Sequence, residues 1–169
     1  MANDKLGRPS KERKALLRNQ VTNLLWYGKI ETTVAKAKSV RSIAEKLLTA
    51  AINSYEDTVE VTVSKKGLDG VVKEVKVVKD GGKKLAARRK IMSKLNDLQE
   101  VKPKNESKSD FKERTKGVNH PLIEKIFNEL APKYADRAKE LGQGGGYTRI
   151  YLLGERRGDA TERAIIELV

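Results

Sequence analysis

The spacing of apolar residues in the first third of the chain predicts two amphipathic helices. Between Leu17 and Leu25, and again between Val40 and Ala51, apolar residues recur every three or four positions, which places them on one face of a helix. We expect the first helix to run from Ser10 to about Tyr27, with Ser10 as its N-cap and Gly28 at its end. The second helix is expected over 33–52.

The pattern then changes to the two-residue period of β-strands. In TVEVTV (58–63) and VVKEVKVV (71–78) valines alternate with polar residues, and the glycine-containing segment KKGLDG lies between them. This combination predicts a β-hairpin that projects from the domain. Two more strands are predicted in YTRIYLL (147–153) and ERAIIELV (162–169), and the short segment KIETT (29–33) can form another.

Two further helices and one irregular segment are predicted in the second half of the chain. Residues 83–95 have helical spacing, and a fourth helix begins near Pro121, since proline is favoured in a first turn. Residues 99–118 are charged, poor in large apolar groups and without periodicity, which is typical of a mobile loop. The predicted order is helix, strand, three helices and two strands, interrupted by a hairpin and a loop.

The net charge of the chain indicates what kind of partner the protein binds. Its 169 residues include 36 Lys+Arg and 23 Asp+Glu, for a net charge of +13. Such an excess opposes compaction unless a polyanion neutralises it, and nucleic acid or an anionic membrane surface would do so. The apolar runs are too short for a membrane span. Because the chain has no cysteine and its first residues do not resemble a signal peptide, we expect a cytoplasmic protein.

Residues suited to catalysis are few. The single histidine, His120, stands at a helix start, where a structural role is far more common than general-base catalysis. With no cysteine, a metal site would need carboxylates, and no EF-hand spacing is present. We therefore expect no catalytic residue, no metal, no cofactor and no small-molecule substrate.

The glycine-rich stretch GQGGGYTR (142–149) does not match a nucleotide-binding motif. A Walker loop needs Lys and then Ser or Thr after its last glycine, whereas Tyr147 follows Gly146 here. A dinucleotide fingerprint follows a strand and opens a helix. Here the glycines follow a predicted helix and open a strand, so the context argues against a nucleotide-using enzyme.

The distribution of basic residues favours nucleic acid as the partner. Residues 1–20 contain six basic residues and two acidic ones, and 1–9 read as a basic arm. Basic groups recur on the first three helices and in the C-terminal turn, although any single basic run is more often a solvated face. Tyr147, Arg149 and Tyr151 alternate on one strand face and can stack on unpaired bases. Packing of the tyrosines under a helix is an equally good alternative.

Five segments carry a family resemblance in collinear order. They are LGRPSKERKALLRN (6–19), IETTVAKAKSVRSIAEKL (30–47), FNELAPKYADR (127–137), GGYTRI (145–150) and GERRGDA with AIIELV (154–169). Together they resemble the bacterial large-subunit ribosomal protein family numbered seventeen. The resemblance leaves out about 54–80 and 99–118, which look like lineage insertions into a single α/β domain over 10–169.

The resemblance implies a fold, a partner and a location. The fold would be a compact two-layer α/β domain of the α+β class with a small mixed sheet, into which the β-hairpin predicted from the valine pattern is inserted. The partner would be large-subunit ribosomal RNA near the outer rim of the polypeptide exit tunnel, together with neighbouring ribosomal proteins. The residues that match the family's basic motifs are Lys5, Arg8, Arg13, Arg18, Asn19, Thr32, Thr33, Lys36, Lys38, Arg41, Arg88, Arg89, Tyr147, Thr148, Arg149, Arg156 and Arg157.

Some positions depart from the family pattern. Glu12 and Ala86 stand where histidine is common, and Thr161-Glu162-Arg163 replaces an Ala-Pro-Met-like stretch. Glu12 puts a negative charge in the arm region, beside Lys11 and Lys14, which we add to the expected RNA-binding residues on grounds of charge.

The resulting hypothesis is a structural RNA-binding protein of the large subunit, and two alternatives remain beside it. A general nucleoid or RNA-chaperone protein would bind duplex DNA equally well. A small RNA-modifying or nucleotide-using enzyme would bind a nucleotide or cofactor.

Overall fold

The computed structural model describes residues 5–66 and 72–169. It confirms the predicted α+β class with an inserted β-hairpin. The elements in chain order are α1 (Ser10–Tyr27), β1 (Lys29–Thr33), α2 (Val34–Ile52), β2 (Thr58–Lys66), β3 (Val72–Asp80), α3 (Gly82–Met92), α4 (Lys108–Arg114), α5 (Pro121–Lys125), a π-helical turn (Ile126–Leu130), α6 (Ala131–Leu141), β4 (Thr148–Glu155) and β5 (Glu162–Leu168).

The main sheet has three strands in the order β1-β5-β4. Both strand pairs are antiparallel, with Thr32 opposite Ala164 and Ile150 opposite Ile166. The expectation of a mixed sheet was therefore wrong, because β4 and β5 form a hairpin and β1 runs against β5 from the other side. A bulge between Leu152 and Gly154 distorts the β4 edge.

The core lies between this sheet and the helices, with α2 at its centre. The predicted apolar stripes of α1 and α2 supply most of it, and Leu24, Val40 and Leu48 are completely buried. Burial of each such side chain contributes about 1.5–3 kcal/mol. Leu17 and Ile43, which were expected in the same stripes, are only partly buried at its margin.

The C-terminal end of α1 was predicted correctly, but its N-cap was not. Gly28 ends the helix in the left-handed conformation, with φ 81° and its amide bonded to the Leu24 carbonyl, as expected. Ser10 is not the N-cap, however. Pro9 holds that position, and Ser10 is the first helical residue without a side-chain capping bond.

The predicted β-hairpin is formed by β2 and β3, which pair antiparallel from Thr58 opposite Asp80 to Lys66 opposite Val72. Residues 67–71, which include most of the expected turn, lie outside the described residues. At the base of the hairpin, Asp57 Oδ2 accepts hydrogen bonds from the amides of Lys83 (2.7 Å) and Lys84 (3.2 Å). Asp57 thus caps α3 from a distant part of the chain.

The charged segment 99–118 contains helix α4, so the expectation of a loop throughout was wrong. Ser107 caps this helix by accepting from the Asp110 amide at 3.2 Å. Arg114 at its end pairs with Glu100 (2.7 Å) and Glu106 (3.1 Å). Capping and ion pairs, rather than an apolar stripe, define this helix, which explains why periodicity did not reveal it.

The fourth predicted helix begins at Pro121 as expected and runs through α5, the π-helical turn and α6. Its middle turn precedes Pro132, which has no N–H to donate to the carbonyl four residues earlier; the π geometry is a local adjustment of that kind. Ile126 and Phe127 in this turn are buried. Within the described ranges, no helix combines the length and the apolar character that crossing a membrane requires.

Candidate nucleic-acid interface

The basic residues of the arm and α1 are mostly exposed to solvent. Lys5, Lys11 and Lys14 are exposed and Arg13 is half-buried, while Asn19 lies exposed further along α1. Arg8, which precedes α1, and Glu12 in its first turn form an ion pair at 3.8 Å. An exposed pair of this kind is weak, so Glu12 offsets part of the positive charge of the arm without fixing its shape.

A long open groove, which we call the α2 groove, lies along the exposed side of α2. Residues of α1, α2, β4 and the C-terminal part of α3 line it, and its volume is about 1620 Å³. Seven basic side chains line it, and we call them its walls: Lys14, Arg18, Lys38, Arg41, Lys46, Lys90 and Lys94. Aliphatic side chains line it as well, and we call four of them its floor: Leu17, Ile43, Ile150 and Leu152.

The charge of the groove is almost uniformly positive. Glu45 is the acidic residue among its described lining. Its carboxylate pairs with Arg41 Nε at 3.4 Å and accepts a hydrogen bond from Thr148 Oγ1 at 2.8 Å. Thr148, a predicted RNA-binding residue, is buried and uses its hydroxyl inside the protein.

Two hydrogen bonds between side chain and main chain hold the walls of the groove together. Arg18 Nη2 donates to the Ser93 carbonyl at 2.7 Å, and the Asn96 amide donates to Thr22 Oγ1 at 3.0 Å. They fasten α1 to the end of α3. As a result, Lys90 and Lys94 lie along the same groove as the predicted residues of α1 and α2.

The predicted set did not include Lys46, Lys90 or Lys94. Each is exposed, and their sequence neighbours resemble those of any solvated lysine. What marks them is that they share one groove, and this depends on how α3 packs against α1. In the sequence, only the high proportion of basic residues in α3 could have indicated that these lysines belong to a binding surface.

Arg88 serves the fold. Its guanidinium pairs with Glu124 and lies with Nε 2.7 Å from Asp80 Oδ2, above the ring of Phe127. The contact with Asp80 is an ion pair. Burial lowers the pKa of Arg88, but the Glu124 hydrogen bond and the two acidic charges outweigh it and raise the pKa overall. Its neighbour Arg89 is exposed.

Tyr147, one of the three residues expected to form a base-stacking face on β4, does not face solvent. Tyr147 precedes β4 and is buried against Tyr134 of α6, with ring centroids 5.0 Å apart. The alternative of packing under a helix is thus confirmed for Tyr147. Arg149 and Tyr151 are exposed on the strand and remain available to a ligand.

One of the two arginines in the C-terminal turn forms an ion pair within the turn itself. Arg156 pairs with Asp159 through both Nε and Nη2. Hydrogen bonds from Arg156 and Thr161 hold the pKa of Asp159 below its usual range. Arg157 is exposed beside this closed pair.

The remaining predicted residues surround the start of α2. Gln20 Nε2 donates to Thr32 Oγ1 at 3.1 Å, and Thr33 occupies the N-cap position of α2. Lys36 is half-buried, while Lys38 and Arg41 are exposed in the groove.

Comparison with known proteins identifies the family. The family model described as Ribosomal protein L17 matches residues 16–169. The chain is 41% identical to large ribosomal subunit protein bL17 of Lachnospira eligens, over 98% of this chain and 97% of that protein. The proteins of the same name from Acetivibrio thermocellus (39% identical, 99% of both chains) and Clostridium acetobutylicum (37% identical, 98% and 95%) are also similar. The resemblance seen in the sequence is confirmed, and the chain belongs to the ribosomal protein L17 family.

Proposed function

We propose that this protein is a structural constituent of the bacterial large ribosomal subunit and binds large-subunit ribosomal RNA without catalysing a reaction. The observation that carries the proposal is the α2 groove, where seven basic side chains from three parts of the chain line one surface. Family membership supports the ribosome as the site of action in the cytoplasm. The family resemblance supports neighbouring ribosomal proteins as further partners and a position near the rim of the exit tunnel.

The mechanism of binding is electrostatic. Lysines and arginines on the arm, on α1 to α3 and in the C-terminal turn contact phosphates of several RNA segments and release their counterions. The directly binding residues are those that the structure leaves exposed, among them Lys11, Arg89, Arg149 and Arg157. Arg88, Tyr147 and Thr148 support these residues from inside the fold.

The proposed domain organisation is a basic arm over 1–9 and a single domain over 10–169. The β2–β3 hairpin and the segment 99–118 are insertions into it. In support, the main core is built from α1, α2, α3, α5, α6 and the β1-β5-β4 sheet, and its buried members lie outside both insertions.

Binding of the purified protein to large-subunit RNA tests the proposal. The logarithm of the association constant should fall linearly with the logarithm of salt concentration, with a slope of about −0.7 to −0.9 per phosphate contact. Duplex DNA of equal length should compete poorly. Absence of binding, or binding that does not weaken with salt, would refute the proposal, and equal competition by DNA would favour a general nucleic-acid-binding protein.

A control for the ribosomal context is sedimentation with isolated large subunits that lack this protein. We expect the added protein to sediment with them and to dissociate at high salt. Addition of nucleotides or common cofactors should leave the unfolding temperature of the protein unchanged. Stabilisation by such a compound would support the enzyme alternative.

A further inference from the structure

The α2 groove combines two properties that select one kind of nucleic acid. Its walls are basic, but its floor is aliphatic, and Leu152 in that floor is 72% exposed. An exposed leucine contributes nothing to the binding of phosphates, because its side chain carries no charge and no hydrogen-bond donor. Resting on the proposed function, we propose that the α2 groove holds an unpaired strand of RNA, whose phosphates lie on the walls and whose riboses and bases lie on the floor.

The shape of the groove agrees with this assignment. At about 1620 Å³ it is larger than the roughly 300–1,000 Å³ of a small-molecule pocket, and it is open to solvent. An RNA duplex shows a protein mainly phosphates and 2′-hydroxyls, because its bases are stacked and its major groove is narrow. An aliphatic floor would remain wet beneath such a duplex, whereas an unpaired strand can turn base faces onto it.

The chemistry of the lining defines how the strand is held. None of the described residues that line the groove is aromatic, so the usual stacking of bases on aromatic rings does not apply here. Arg18 and Arg41 supply guanidinium planes instead, and a guanidinium can also stack on a base. Contacts of these kinds depend little on base identity, and we therefore expect weak sequence preference.

The groove continues beyond α2 towards the arm. A smaller hollow shares Lys14 and Arg18 with it and adds Lys11 and Asn96. The strand can thus pass from the groove along the N-terminal part of α1. Lys46, Lys90 and Lys94 are then phosphate-binding residues for this strand, although sequence motifs did not indicate them.

The first test separates the groove from the rest of the basic surface. A triple variant of the full chain, Lys46→Gln with Lys90→Gln and Lys94→Gln, is compared with Lys104→Gln, Lys112→Gln and Lys116→Gln, which removes the same charge from exposed positions outside the groove. The probes are an oligouridine of about 12 nucleotides, within the range of single-strand sites, and a blunt RNA duplex of the same length.

We expect the groove variant to bind oligouridine about tenfold or more weakly, with a salt slope reduced by about 2, from roughly 0.7 for each of three lost contacts. The control variant should lose much less. Equal loss of oligouridine and duplex binding would overturn the proposal, as would equal effects of the two variants. Displacement of oligouridine by an acidic peptide of the same charge at lower concentration would assign the groove to a protein partner and would also overturn it.

The second test addresses the floor without changing charge. Leu152→Gln alters the groove, and Leu153→Gln alters the adjacent strand position outside it; both side chains are exposed. Only Leu152→Gln should weaken oligouridine binding, by several-fold, and should leave duplex binding unchanged. If both variants bind like the wild type, the floor does not contact RNA and the proposal fails.

These experiments distinguish failure of the inference from failure of the proposed function. A wild-type protein that does not bind large-subunit RNA refutes both. A wild-type protein that binds this RNA in a salt-dependent manner, together with groove variants that match their controls, refutes the assignment of the groove alone.

Discussion

The carboxylate of Asp57 occupies the space that a side chain at Gly81 would fill. In this position it accepts the amide hydrogen bonds of Lys83 and Lys84 at the start of α3. A carboxylate there satisfies free amides and complements the positive end of the helix dipole. The two residues therefore join the base of the hairpin to α3.

We expect Asp57→Ala and Gly81→Ala each to lower the free energy of unfolding by about 0.5–2 kcal/mol, the usual effect of losing a helix cap. In Gly81→Ala the new methyl group displaces the Asp57 carboxylate from the amides. Because both changes remove the same hydrogen bonds, the double variant should cost little more than either single one. Urea denaturation of the wild type, the two single variants and the double variant gives the coupling energy between Asp57 and Gly81. A loss of stability in the double variant equal to the sum of the two single losses would contradict this explanation.

Replacement of the β2–β3 hairpin tests whether it is an insertion. Thr58 and Asp80 are paired across the two strands, so the two-residue turn Asn-Gly can replace 59–79 without moving Asp57 or Asp80. We expect a folded protein with a cooperative urea transition and unchanged affinity for large-subunit RNA. Loss of folding would show that the hairpin belongs to the core structure. A loss of RNA affinity alone would show that the hairpin contributes to binding.

Arg88 and Arg89 should respond differently to substitution. Arg88→Met leaves Asp80 and Glu124 without their shared cation, and we expect a loss of about 1–3 kcal/mol in unfolding free energy. Arg89→Met is the matched control at an exposed position and should change stability by less than about 0.5 kcal/mol, while it weakens RNA binding. Urea denaturation and RNA titration are both required. The reverse pattern would identify Arg88 as the RNA-binding residue.

Tyr134 should make stability depend on alkaline pH. Its hydroxyl is buried without a hydrogen-bond partner among the described residues. Burial raises the pKa of Tyr134 from 10.0 to about 12, although the charge of Arg137 acts in the opposite direction. The unfolded chain thus releases this proton at lower pH than the native one. The contribution to stability is complete below pH 10 and is lost as pH rises towards about 12.

Unfolding free energies of Tyr134→Phe, measured from pH 8 upwards, provide the check. At neutral pH the variant should be as stable as the wild type or up to about 1 kcal/mol more stable, because an unpaired buried hydroxyl is removed. Above pH 10 its stability should fall less steeply than that of the wild type. An unchanged slope in Tyr134→Phe above pH 10 would argue against burial of this hydroxyl as the cause.

Local patterns in the sequence were sufficient for most of the secondary structure. The α1 and α2 stripes, the valine alternation of β2 and β3 and the glycine at position 28 each depend on residues close in the chain. The cap that Asp57 supplies to α3 joins positions 26 and 27 residues apart, and no local pattern indicates it. Helix α4 was missed for the opposite reason, since it is local but has no apolar face.

The candidate site was predictable in its charge but not in its arrangement. The exposed lysines of α1 and α2 were identified correctly as surface residues, because a lysine without an acidic partner is rarely buried. Alternation along β4 did not show that Tyr147 packs against Tyr134 or that Thr148 bonds to Glu45, since both contacts depend on where α6 and α2 pass the strand. Tertiary packing therefore decides which polar residues of the strand face a ligand.

The central position of β5 in the sheet governs when the protein can fold. The strand that both β1 and β4 require, Glu162–Leu168, follows both of them in the chain and is synthesised after them. Thr32 cannot form its strand pairing until Ala164, its partner 132 residues later, has been synthesised. Until then the helices can form, but the sheet cannot, and pairing over so long a separation is slow. A nascent chain of this protein thus completes its sheet only after residues 162–168 have left the ribosome that makes it.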